Sequence, residues 1–113
     1  MKKYLLLFSI FSSSFTFGDY SCSGQVAYLG VASDNSLNVS NGYGIHKLCV
    51  LDSETQSEGC KAWMSMAMSA QAQNRNIAIY YKDSTGKASN EENCNSIGNW
   101  VEPSDTVYFL RLK

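Results

Sequence analysis

The chain has 113 residues, 44% of them hydrophobic and 17% charged, with nine Lys+Arg facing ten Asp+Glu. An aromatic share of 12% and a net charge of −1 exclude a disordered segment and a strongly basic nucleic-acid binder. The length suits one small soluble domain.

Lys2 and Lys3 precede an uncharged run, Tyr4 to Phe17, that holds Leu5, Leu6, Leu7, Phe8, Ile10, Phe11, Phe15 and Phe17. A positive start, a short apolar core and the small residues Thr16 and Gly18 read as a secretory signal peptide over residues 1–18, cleaved after Gly18. Serines dilute the run, and it is too short to span a bilayer comfortably. No later stretch reads as a membrane span. Asp19-Tyr20-Ser21 before Cys22 does not suit a lipoprotein. Without Lys2 and Lys3, seven basic residues face ten acidic ones, a net charge of −3 on a single domain over 19–113. A domain this small has a thin core margin, which cross-links would reinforce.

Gln25 to Val31 is apolar and bounded by turn residues, and it predicts the first strand. Ala32 to Ser36 is turn chemistry, and Leu37 to Ser40 alternates as a second strand. Asn41-Gly42 signals a tight turn, extended by Tyr43-Gly44, before a third strand over Ile45 to Leu51. Cys60 to Asn74 then changes period. Cys60, Trp63, Met64, Ala67 and Gln71 fall at helical spacing, with Met68 and Ala70 beside them, and Ala and Met are good helix formers. This predicts the one helix, with Trp63 in the core. Ile77 to Tyr81 predicts a fourth strand and Thr106 to Leu112 a closing one. Between them, Lys82 to Lys87 turns the chain, Ala88 to Asn95 reads as a polar loop, and Ile97 to Val101 as a short strand.

The element order β-β-β-α-β-β suits a small sheet that buries its apolar face by closing into a barrel. The expected fold is mainly β with one helix: a small OB-fold-like antiparallel β-barrel with two disulfides. The four cysteines, Cys22, Cys49, Cys60 and Cys94, allow three pairings. Cys49–Cys60 with Cys22–Cys94 is preferred, because the first clamps a strand end to a helix start across a polar loop. The second ties the N-terminus to a late loop. A zinc site is not expected, since there is no C-x-x-C pair and His46 is the only histidine.

Catalytic chemistry is not legible. His46 sits mid-strand without a recognisable nucleophile, and Glu91-Glu92 lies in a polar stretch as a solvated charge pair. Gly42-Tyr43-Gly44 joins two strands and lacks the helix that a phosphate loop requires. A charge of −3 argues against a groove that tracks phosphates. The expectation is a protein that is not an enzyme, with no cofactor and no nucleic-acid partner.

The Cys49–Cys60 segment, Ala62-Trp63-Met64-Ser65, Ala70-Gln71-Ala72 and Asn76-Ile77-Ala78-Ile79-Tyr80-Tyr81, with Ser23-Gly24 near the start, resemble the B subunits of subtilase cytotoxin and of the pertussis-like typhoid toxin. This chain is shorter, and its Cys22 and Cys94 lie far apart where those subunits carry a close second pair. The resemblance implies an OB-fold, a homopentamer, a catalytic A subunit as partner, and binding of sialylated host glycans. Carried onto this sequence, the sugar site falls on Asp19, Ser23 and Tyr81: an acid and a hydroxyl for the sugar's polar edge, and a ring for its apolar face. By period two, however, Tyr81 shares a strand face with Ile77 and Ile79, which equally suits a place in the core. Two readings result. One is a secreted glycan-binding module. The other is a monomeric periplasmic or secreted interaction or inhibitor protein with no sugar site.

Overall fold

A computed structural model describes residues 19–83, 85–86 and 88–113. The expected signal peptide and its cleavage site lie outside the described residues. The chain is mainly β, with two three-stranded antiparallel sheets, one main helix and two disulfides.

Two strands form where the sequence suggests one over Gln25 to Val31. Strand β1 spans Asp19–Gln25, and β2 spans Tyr28–Val31. The sequence Asp-Tyr-Ser-Cys-Ser-Gly-Gln looks polar, yet Tyr20 and Cys22 alternate inward and are each 1% exposed. β1 pairs with β5 (Asn76–Lys82), while β2 pairs with β3 (Ser36–Ser40). The run 19–31 thus leaves one sheet and enters the other, and the Ala27 amide keeps the ladder going by donating to the Ser40 carbonyl at 2.7 Å. Strand β4 (His46–Val50) completes the sheet β2-β3-β4, the meander expected from the sequence. β6 (Val107–Leu112) completes the sheet β1-β5-β6.

Read across both sheets, the order β4-β3-β2/β1-β5-β6 is compatible with an OB-type barrel. In place of the short strand expected over Ile97 to Val101 there is a single parallel bridge, His46 to Val101, and the Lys47 amide donates to the Val101 carbonyl at 2.9 Å.

Helix α1 spans Ser57–Gln73 and ends at Asn74 in the left-handed conformation, whose amide caps the carbonyls of Ala70 and Gln71. Its buried stripe is Cys60, Ala67 and Ala70, small side chains that let the helix lie close on the sheets. Trp63 and Met64 are half-buried at the rim of this stripe, while Met68 and Gln71 face solvent. Trp63 thus packs against the core, as its spacing suggests, without being fully buried.

Ala88 to Asn95 is not wholly a loop. Glu91–Asn95 forms a short helix, α2, because the Asn90 side chain accepts from the Asn93 amide at 2.9 Å and two acids stand in the first turn. Cys94 on α2 is bonded to Cys22, and Cys49 to Cys60, with Cα separations of 5.8 and 5.7 Å. Both are the pairings preferred from the sequence. The core between the sheets holds Tyr20, Leu37, Val39, His46, Ile77, Ile79, Tyr81 and Leu110. Among the described residues, no helix is long and apolar enough to cross a membrane.

Candidate functional site

The three residues carried over from the toxin B subunits do not converge. The register Asp19↔Lys82, Ser21↔Tyr80, Ser23↔Ala78 sets the odd positions of β1 and the even positions of β5 on the outer face of their sheet. Asp19 is exposed at one end of that face, beside Tyr108, whose phenol is held above its ordinary range by burial and then by a hydrogen bond to Asp19. Ser23 lies four residues further along, on the order of 13 Å away. Tyr81 points the other way. It is fully buried, stacks on Tyr20 with ring centroids 5.1 Å apart, and its hydroxyl meets Nδ1 of His46 at 2.9 Å. Burial pushes the Tyr81 phenol far above its ordinary range. The tyrosine that shares a face with Asp19 and Ser23 is Tyr80, one residue earlier, packed edge-on against Phe109 and Tyr108.

Ser23 opens onto a groove of about 240 Å³ between β1 and α2. Its lining includes Ser21, Ser23, Tyr43, Ser89, Asn90 and Glu91. Three contacts shape it. The Ser21 amide on the outer edge of β1 donates to the Ser89 hydroxyl at 2.9 Å. The Tyr43 hydroxyl donates to the Ser23 carbonyl at 3.2 Å, which fixes its ring over the strand. The Cys22–Cys94 bond holds α2 against β1 from below. The ammonium of Lys113 lies 3.4 Å from the Ser23 hydroxyl, so the site carries a cation at Ser23 and a carboxylate at Glu91. The volume lies under the range usual for drug-sized ligands and suits a group of monosaccharide size.

Tyr43, Asn90, Glu91 and Lys113 were not legible as site residues. They come from a turn, a cap, a helix start and the chain end. The one available signal was the Cys22–Cys94 pairing, which requires the polar stretch before Cys94 to stand beside Ser23.

Elsewhere, Nε2 of His46 lies 3.0 Å from the Gly98 carbonyl. Gly44, at φ +103°, lies against that same carbonyl, and a side chain at Gly44 would collide with it. The segment 97–101 is therefore held closely on the end of β4. No protein-family model, no curated protein and no solved structure matches this chain.

Proposed function

We propose that this protein is an exported, non-enzymatic binding module whose groove at Ser23 takes an acidic terminal sugar such as a sialic acid. The observation that carries this reading is the lining of the groove: the hydroxyls of Ser21, Ser23 and Ser89, the amide of Asn90, the ring of Tyr43, the carboxylate of Glu91 and the nearby ammonium of Lys113. Hydroxyls, amide and carboxylate suit the hydroxyl rim of a sugar, the phenol ring suits its apolar face, and the ammonium suits an acid group. Two disulfides favour an oxidising compartment and so support export.

A single open groove of this size binds no tighter than about millimolar, near −4 kcal/mol. Useful avidity then comes from several copies on one array, which fits the pentamer and the A-subunit partner implied by the resemblance. The test is binding to a dense sialylated surface, with Ser23→Ala and Lys113→Ala as variants.

The second reading, a monomeric interaction or inhibitor protein, is favoured by the seam between β4 and β6. There Leu48, Trp63 and Val107 line a groove of about 240 Å³. Mass in solution separates the two: five copies support the first reading and one copy the second.

A further inference from the structure

We propose that Tyr28 and Trp100 form a second carbohydrate contact, an aromatic platform in which one ring face stacks on the apolar face of a neutral hexopyranose and the other ring, set edge-on, flanks it. This platform is independent of the groove at Ser23. Tyr28 is 39% exposed and Trp100 62%, and their rings meet edge-to-face with centroids 5.4 Å apart. Trp100 keeps most of its surface in solvent, so burial does not account for its placement.

Both rings are nevertheless fixed. The Tyr28 ring lies against Gly30 so closely that a Cβ there would stand 3.0 to 3.3 Å from its edge and hydroxyl. The glycine two residues on lets the ring lie close on the strand, and a side chain there would push it outward by a few tenths of an ångström. Trp100 occupies the left-handed region at φ +60°, a conformation that costs a non-glycine residue free energy and that persists only where its surroundings impose it. Here they do. The Trp100 amide donates to the Ile45 carbonyl at 2.8 Å, and the Ile45 amide donates to the Asn99 side chain at 2.7 Å. On either side, His46 holds the Gly98 carbonyl, and the Lys47 amide donates to the Val101 carbonyl. The chain thus spends strain and several hydrogen bonds to hold an indole in solvent.

The surroundings select the occupant. Gly30 pairs with Asn38 and Asn38 with Lys47, so an amide and an ammonium follow the platform across the outer face of β2-β3-β4. Lys47 is paired with Glu102 at 3.7 Å, which leaves that rim close to neutral. A fixed aromatic pair with a neutral polar rim matches a ring that has one C–H face and a belt of hydroxyls. It does not match a phosphate backbone, and the chain's excess of acids argues the same way. Aromatic platforms also take proline-rich segments, and that ligand is the competing outcome.

The experiment is a titration of the folded protein, observed by the indole N–H resonances and by saturation transfer to the sugar. The probes are methyl β-galactoside, methyl β-glucoside and methyl α-mannoside, with a proline-rich peptide run alongside. The expected result is a saturable shift of the Trp100 indole by at least one glycoside, with the Trp63 indole unmoved and transfer strongest to the protons of one ring face. Trp100→Ala and Tyr28→Ala should each weaken binding at least tenfold with little change in melting temperature, while Ser23→Ala leaves it intact. Conversely, Trp100→Ala should leave binding to sialylated surfaces in place, so the two sites fail separately. No shift with any glycoside, a shift with the peptide alone, or binding that survives Trp100→Ala would each overturn the proposal. The shift of the Trp100 indole in the unaltered protein, with Trp63 unmoved, decides the matter even if a variant does not fold.

Discussion

The Tyr81 hydroxyl and Nδ1 of His46 lie 2.9 Å apart inside the molecule. The other ring nitrogen faces the Gly98 carbonyl, which only accepts, so the ring proton sits on Nε2 and Tyr81 donates to Nδ1. One neutral imidazole therefore joins the core face of β5 to the segment that presents Trp100. Burial holds the His46 pKa below its ordinary 6.5, against the opposing effect of the Gly98 bond.

A pH dependence follows from that depressed value. Above about pH 6.5 the imidazole is neutral in folded and unfolded chains alike, and its contribution to stability is fully present. As pH falls below that value, the unfolded chain takes up a proton that the folded chain resists, and stability drops until the folded pKa is passed. Denaturant midpoints measured between about pH 7.5 and pH 5.5 should fall with acid, ahead of most carboxylate titration. His46→Gln should flatten that slope. It should also lower stability by about 1–3 kcal/mol, because partners of the ring are left unpaired.

Asn41 holds the place where the chain passes between sheets. Its side-chain amide donates to the Cys22 carbonyl at 2.7 Å and to the Ile77 carbonyl at 3.2 Å, and the residue is 3% exposed. Asn41→Ala removes both bonds and should cost about 1–3 kcal/mol in chemical denaturation. Asn41→Asp keeps the shape without the donor and should be no better.

The two disulfides should differ in worth. Cys22–Cys94 closes a separation of 72 residues and Cys49–Cys60 one of 11. Chain entropy assigns them roughly 4 and 3 kcal/mol. Paired serine substitutions compared by melting should give that order. The Cys22–Cys94 variant should also lose binding at Ser23, since α2 is no longer tied to β1.

Trp63→Ala should cost about 2 kcal/mol, less than the 3–5 kcal/mol of a fully buried tryptophan. The half-buried indole lines the seam between β4 and β6 rather than filling the core. Thermal melts of the variant check this.

What the sequence made legible was governed by period and by covalent geometry. The strands Leu37 to Ser40, Ile45 to Leu51 and Ile77 to Tyr81, the helix that begins near Cys60, and both cysteine pairs lie close to where they were expected. β1 is not legible because its outward positions are Asp, Ser, Ser and Gln and Tyr20 is its only large inward residue. α2 was missed because an asparagine cap at Asn90 outweighed a polar composition. The candidate site suffered from a step of one residue. In a strand, Tyr80 and Tyr81 face opposite ways, and only the pairing with β1 decides which of them shares a face with Ser23. The groove itself joins residues from four distant segments, which no local pattern reveals.

The measurement that bears most directly on the central claim is binding of the folded protein to a surface dense in sialylated glycans, set beside the same surface after the sialic acids are removed. Binding should require the sialic acid, and Ser23→Ala should weaken it about fivefold, as the loss of one hydrogen bond of about 1 kcal/mol predicts. Lys113→Ala should weaken it further at low salt than at high salt. A well-folded protein that ignores every sialylated glycan, or one that binds equally well after both substitutions, would contradict a sugar site at Ser23.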